Sequence, residues 1–305
     1  MWSPWHQQEK EEPGKMEGQL ERSKIPLGAR AHKPKTWVEL FNASFYIVAA
    51  LALLAFAYYL YAFRHFSVLY LPIFLQMTLV TLVISLISMV LAVPLGFLGA
   101  ICRLSPFAPL RWLATTYVEV MRGTPVLVQL LLWYYGVGLL LSSLGFDPYE
   151  TAFKFMTVLQ NNSLVPDAFD SYFYGVIGLA FNYGAYLTEV FRTGIETVDK
   201  GQREAALSLG LDSWQAMRHI ILPQAIRLTL PPFTNYFITL IQDSALLSVI
   251  SVVELEHLTF ALALPQVNPD DKMFVFVFGA LFYFILCYPL SLLARLFEKR
   301  LSAGF

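Results

Sequence analysis

Asp243 stands two residues past the end of an apolar stretch, Leu228–Ile241, and a carboxylate there is a natural counter-charge for a solute's ammonium group or cationic side chain. The alternative is a cap on a helix beginning near Ala245. Arg122 could meet a carboxylate, or it could anchor a span at its cytoplasmic edge. Glu189 and Arg192 stand three residues apart, a helical spacing for an ion pair. Uncharged groups repeat at the same period. Asn182, Tyr186 and Glu189 fall on one helical face, Asn235, Thr239 and Gln242 on another, and Ser244, Ser248, Ser251 and Glu254 on a third. Thr78, Thr81, Ser85 and Ser88 share a fourth. Polar side chains among apolar neighbours are expensive and turn toward a bundle interior or a cavity. Such stripes line a polar route, or they glue helices together; glue is the favoured reading for Thr78–Ser88.

Bond-breaking chemistry has no residues to carry it. The sequence lacks a G-x-x-x-x-G-K-[ST] phosphate loop, its one Gly-Lys pair being Gly14-Lys15. H-E-x-x-H, G-x-S-x-G and Cys/His clusters are missing too. Cys102 and Cys287 lie at or in apolar segments and read as small hydrophobes, and His219 and His257 stand singly. We therefore expect no catalytic residue, no metal site and no cofactor.

The elements that must position these groups are membrane spans. Of the 305 residues, 57% are hydrophobic and 14% charged, against about 25% charged in soluble domains. Six runs approach the ~20 residues a span requires: Phe41–Phe63, Leu71–Ala100, Pro125–Leu144, Tyr172–Phe191, Leu228–Ile241 (short, so starting earlier or tilted), and Met273–Leu296. Ala245–Leu264 is apolar but holds Glu254, Glu256 and His257, and is not counted. Residues 1–36 are polar and charged, too poor in large apolar side chains to fold, so they read as a disordered tail. With that tail inside, 18 of the 21 Lys and Arg lie inside. The other three, Arg64, Lys154 and Lys272, lie outside, so both termini are placed in the cytoplasm. An acidic outer loop, Gly145–Ser171, carries Asp147, Glu150, Asp167 and Asp170 against Lys154, with a short helix expected near Tyr149–Leu159. Asn161-Asn162-Ser163 within it is a weak glycosylation signal.

Between the fourth and fifth spans, residues 193–226 form a long inner loop with a helical pattern. Glu204-Ala205-Ala206 is followed by Gly210, then Ile220, then Leu222-Pro223. The spacing predicts two short helices about a glycine turn, the second N-capped by Ser213 and ending near Pro223. Ala205 and Ala206 allow close approach, and Glu204 offers a docking contact or a cap. Leu207, Leu211, Ile220 and Ile221 would pack the loop against itself or a partner.

This loop resembles the motif by which permease subunits of ABC importers dock their ATPase. Arg122-Gly123-Thr124-Pro125-Val126-Leu127-Val128-Gln129 resembles a signature of the polar amino-acid branch (histidine, glutamate, glutamine, arginine, opine). Asn182 to Arg192 resembles the segment feeding the loop. Gln242-Asp243-Ser244-Ala245-Leu246 resembles a further stretch, with Gln242 where the family commonly has Lys and Ala245 where it has Ser. The likeness covers about Leu71–Leu301.

The resemblance implies an all-α polytopic membrane protein of the bacterial inner membrane: a five-span type I importer core at 67–301 and one extra span at 37–66. It implies ATPase coupling through Glu204, Ala205, Ala206, Gly210, Ile220, Leu222 and Pro223. It further implies a substrate pathway drawn from Arg122, Gln129, Asn182, Tyr186, Glu189, Asn235, Gln242, Asp243 and Ser244. The implied partners are two ABC ATPase subunits, a second permease copy or paralogue, a periplasmic or lipid-anchored solute-binding protein, a polar amino acid and membrane lipid, with no nucleic acid. The competing reading is an ion-gradient-driven secondary transporter. Such proteins usually carry internal repeats and more spans, and no repeat is visible here.

Overall fold

The computed structural model describes residues 36–145 and 169–302. The expected tail at 1–36 lies almost wholly outside the described residues. So do the expected helix at Tyr149–Leu159, Asn161-Asn162-Ser163, and the loop charges Asp147, Glu150, Lys154 and Asp167. No strand occurs among the described residues.

The chain divides into two compact units, Met1–Ala62 and Phe63–Phe305. The first contains α1, Thr36–Ala62. Its large apolar side chains, among them Tyr46, Leu51, Leu54 and Tyr58, are exposed. A helix that is apolar around its whole circumference and long enough to span suits lipid.

The second unit opens with α2, Arg64–Leu104, whose 41 residues reach about 60 Å, twice the hydrocarbon thickness. After a turn at Ser105 come α3, Ala108–Gly123, and α4, Val126–Ser143. α4 contains a π-helical stretch, Leu132–Val137. Then follow α5, Phe169–Thr197, the loop helices α6, Lys200–Ser208, and α7, Ser213–Ala216, and α8, Leu222–Asp243. A 3₁₀ segment, Ser244–Ile250, leads through Ser251 to α9, Leu255–Ala263. The last helix is α10, Pro269–Ser302.

Five of the described helical stretches are long and apolar enough to cross a membrane: those within α1, α2, α4, α7–α8 and α10. The long α5 is not among them, because it carries the polar groups that make it interesting. It packs instead through the middle of the unit, against α2 along much of its length and against α3 and α8. The core gathers around it: Leu179, Tyr183 and Leu187 of α5 with Ile84, Met89, Leu130, Leu240 and Leu247.

The α2–α5 seam is close because glycines form it. A Cβ on Gly96 would collide with Leu187, and one on Gly99 with Thr188. Small residues let membrane helices approach backbone to backbone, where packing replaces the missing hydrophobic drive. Gly99→Leu is therefore expected to lower the stability of the purified protein by at least about 1–3 kcal/mol, seen as an earlier thermal unfolding transition.

Several expectations are corrected. The short fifth span begins earlier than Leu228, one of the two readings its length allowed, but the expected stop at Pro223 is wrong. A π-helical stretch at Met217–Ile221 precedes α8, and Pro223 sits in the first turn, where a missing N–H is tolerated. The cap of α7 is Asp212, not Ser213. Its carboxylate accepts from Trp214 and Gln215 N–H at 2.8 Å each, and Gln215 returns a bond to the Asp212 N–H, completing a capping box. The stripe Ser244–Glu254 does not exist, since Ser251 adopts a left-handed conformation with φ 64° and breaks the helix. α3 was not anticipated; its apolar content is too low to register as a span.

Candidate functional site

The loop at 193–226 is braced by caps, turn bonds and packing. Asp199 caps α6 by accepting from Gly201 N–H at 2.6 Å. Gly210, at φ 86°, closes α6 with paired bonds: Gly210 N–H to Leu207 C=O at 3.0 Å and Leu211 N–H to Ala206 C=O at 3.2 Å. Buried Val198, Ile221 and Ala225, with Ile195, Met217 and Leu228, root the loop between α5 and α8. Ala206 and Ala216 also turn inward. Glu204, Ala205, Gly210 and Pro223 are exposed, while Ile220 and Leu222 are half-buried. The outward face carries Leu207, Leu209 and Trp214, the last two 84% and 68% exposed. Leu209 and Trp214 were not singled out from the sequence, although both flank the Gly210 turn and are too large and apolar for a free loop. Leu207, exposed, does not pack the loop against itself.

A second cluster joins α5, α8 and the end of α3. Tyr183 Oη donates to the Asp243 carboxylate at 2.7 Å. The rings of Tyr183 and Tyr186 lie 6.0 Å apart, and those of Tyr186 and Tyr236 5.1 Å apart. The Arg122 guanidinium stands 5.5 Å over the Tyr186 ring. Among the described residues no carboxylate comes within salt-bridge distance of Arg122. Asp243 makes no side-chain cap bond to the segment after it, so the capping alternative gives way. Asn235, Thr239 and Gln242 form an exposed polar stripe on α8. One chain thus offers a cation-seeking carboxylate bonded to Tyr183 and a guanidinium over Tyr186, the middle ring of the three. Tyr183 and Tyr236 were missed, though Tyr236 lies seven residues from Asp243, on the same helical face.

Three candidates are placed differently. Gln129, Asn182 and Ser244 are buried within the chain and in this conformation present nothing to a solute. Gln129 Nε2 donates to Met121 C=O at 2.7 Å and to Thr124 Oγ1 at 2.9 Å, and Asn182 Nδ2 donates to Gln129 Oε1 at 3.1 Å. Together they satisfy the carbonyls freed where α3 ends at the Thr124-Pro125 break. Ser244 Oγ donates to Ile241 C=O at 2.7 Å. Glu189 binds Arg192, as its spacing predicts, and also Arg103 at 2.5 Å, a partner 86 positions away that spacing could not reveal.

A buried hub around Glu254 was also not anticipated as a unit. Glu254 is fully buried. It caps α9 by accepting from His257 N–H at 2.9 Å, and it accepts Tyr283 Oη at 2.9 Å and Thr81 Oγ1 at 3.2 Å. On the Thr78–Ser88 face the glue reading holds for Thr81 alone, which bonds Glu254: Thr78 and Ser85 bond their own helix, and Ser88 Oγ has no hydrogen-bond partner. Two grooves, of about 440 and 550 Å³, lie elsewhere, and apolar Phe97 and Ile195 with Leu222 line both. Their surfaces suit hydrocarbon, not a polar solute. No group of metal-ligating residues occurs among the described residues.

Comparison with known proteins agrees with this architecture. Residues 92–303 match the family described as "Binding-protein-dependent transport system inner membrane component". A probable glutamine ABC transporter permease protein of Bacillus subtilis, GlnM, is 35% identical over 74% of this chain and 91% of its own length. The L-cystine transport system permease protein TcyB of the same organism is 33% identical over 73% of this chain and 83% of its own. A crystal structure of an amino acid ABC transporter with histidines aligns with a TM-score of 0.62 and 34% identity, over 76% of this chain and 96% of that one. A MetNI methionine transporter structure, at 18% identity and TM-score 0.50, shares the fold. The chain is a multi-pass membrane protein and belongs to the family of binding-protein-dependent transport system inner-membrane components, the permeases of ABC importers that take up solutes at the expense of ATP.

Proposed function

We propose that this chain is the gate-forming, non-catalytic subunit of an importer for polar amino acids, with Glu204–Pro223 docking a partner ATPase and Asp243, Tyr186 and Arg122, arranged about buried Tyr183, contacting the solute. The observation that carries the substrate reading is the pairing of Asp243 and Arg122 around Tyr183, Tyr186 and Tyr236. A zwitterionic amino acid needs both an anion for its ammonium and a cation for its carboxylate. The substrates in the names of its relatives, glutamine and cystine, are of this class.

Two copies or paralogues would face each other across the exposed stripe Asn235, Thr239 and Gln242, since a polar stripe facing lipid is costly. Two ATPases would sit below and a solute-binding protein above, with the loop and both termini in the cytoplasm, as the Lys/Arg bias favours. ATP-driven closure of the ATPases would pass through α6 and α7 into α5 and α8 and turn the cavity outward. The division into a tail at 1–36, an extra span at 37–66 and a core at 67–301 is part of this proposal.

Asp243→Asn tests the solute site. It keeps the size of the side chain and removes its charge. Uptake of radiolabelled glutamine into proteoliposomes holding the native complex is expected to fall at least about tenfold, since hydrogen bonds to charged groups contribute about 1.5–3 kcal/mol. Assembly should not change. Uptake equal to wild type would make Asp243 a structural partner of Tyr183 only.

A further inference from the structure

We propose that Arg103, Glu189 and Arg192 form a clamp that makes the inner end of α2 move with the loop-bearing end of α5 as a single lever during the transport cycle. This rests on the reading that the loop is driven by an ATPase.

The clamp closes the glycine seam. Ala92, Gly96, Gly99 and Arg103 succeed one another at helical spacing on α2, and the two glycines lie against Leu187 and Thr188. One residue further along α5, Glu189 Oε2 accepts Arg103 Nη1 at 2.5 Å and Arg192 Nε at 3.2 Å, while Oε1 accepts Arg192 Nη2. Arg192 also reaches Glu196, a turn closer to the loop. These charges are about one-fifth to one-quarter exposed, Glu196 excepted, so they are screened less than a surface pair. A single carboxylate joins two guanidiniums from different helices; without it, two like charges face each other.

The position matters as much as the bond. Glu189 is two turns from Thr197, where α5 gives way to the loop. Arg103 is in the last turn of α2, one short turn from α3. α3 in turn grips α5 again: Tyr117 Oη donates to Phe181 C=O at 2.6 Å, and Arg122 lies over Tyr186. A push on the loop reaches the tyrosine cluster along α5 itself, which carries Tyr183 and Tyr186; the clamp ties the end of α2, and α3 behind it, to that movement. Glu189 and the two arginines are positioning residues and touch no solute.

Paired spin labels test this in the native complex, with Cys102 and Cys287 replaced by serine and labels placed at Leu104→Cys and Thr197→Cys. The distance between them is measured nucleotide-free and after trapping with ATP and vanadate. In the wild-type clamp the distance is expected to stay constant. Glu189→Gln and Arg103→Gln are expected to shift it by more than about 2 Å between states, the scale of helix displacements in switching proteins. Arg103→Lys should suppress most of that shift. A distance that changes with the clamp intact, or stays constant without it, overturns the lever. A complex that contains no ATPase would overturn the underlying reading, and the lever with it. Thermal unfolding of the same samples separates loss of coupling from loss of fold.

Discussion

Gly210→Pro is expected to abolish co-purification of the ATPase subunit in a mild-detergent pull-down analysed by mass spectrometry, while the membrane-embedded helices remain folded. Proline fixes φ near −65°, and Gly210 sits at φ 86°. It also lacks the N–H that Gly210 donates to Leu207 C=O. The turn between α6 and α7 cannot survive both changes, and with it goes the fixed arrangement of Leu207, Leu209 and Trp214 on the outward face. Gly210→Ala gives the graded version. A Cβ there meets open space, so its penalty is conformational, about 1–2 kcal/mol, and a 5–30-fold weaker complex is expected. An ATPase retained at wild-type level by Gly210→Pro would mean that docking does not use this turn.

Glu254→Leu is expected to cause the largest loss of stability among single changes in the described core, about 3–5 kcal/mol. The carboxylate serves three donors on three helices, so its removal strands Tyr283 Oη and Thr81 Oγ1 in a dry interior and uncaps α9. A buried donor left unpaired costs about 1–3 kcal/mol and a lost cap about 1. Thermal unfolding of the purified protein should move sharply downward. Glu254→Gln keeps the shape and part of the bonding and should lose much less. If both variants melt like wild type, the hub contributes no net stability.

Local order is what the sequence exposes well. The helical class, the Ala245–Leu264 segment that is not a full span, and the helix–glycine–helix form of the loop each follow from periodicity and turn chemistry, which act over a few residues. The motif Glu204-Ala205-Ala206…Gly210 marks the loop because only glycine is comfortable at a positive φ. Boundaries were less legible. Asp212 and Ser213 are both good caps, and only the reciprocal bond with Gln215 decides between them. Pro223 reads as a stop, and the π-helical turn before it lets the helix run on.

What the sequence by itself determined is that this chain lies in a membrane, is helical, and bears a helix–glycine–helix loop, whose spacing resembles the docking motif of ABC importer permeases. Composition, charge bias and short-range spacing carry that information directly. Only the tertiary structure decided which polar residues face outward and which hold the chain together. Gln129 and Asn182 share a motif neighbourhood with Arg122 and Tyr186, yet the first two are buried against each other and the second two stack at an open cluster. Arg103 with Glu189, Thr81 with Glu254, and Tyr183 with Asp243 are separated by 86, 173 and 60 positions. Helical period fixes which residues share a face. It is silent on which face another helix will cover, because that depends on how glycines such as Gly96 and Gly99 let distant backbones meet.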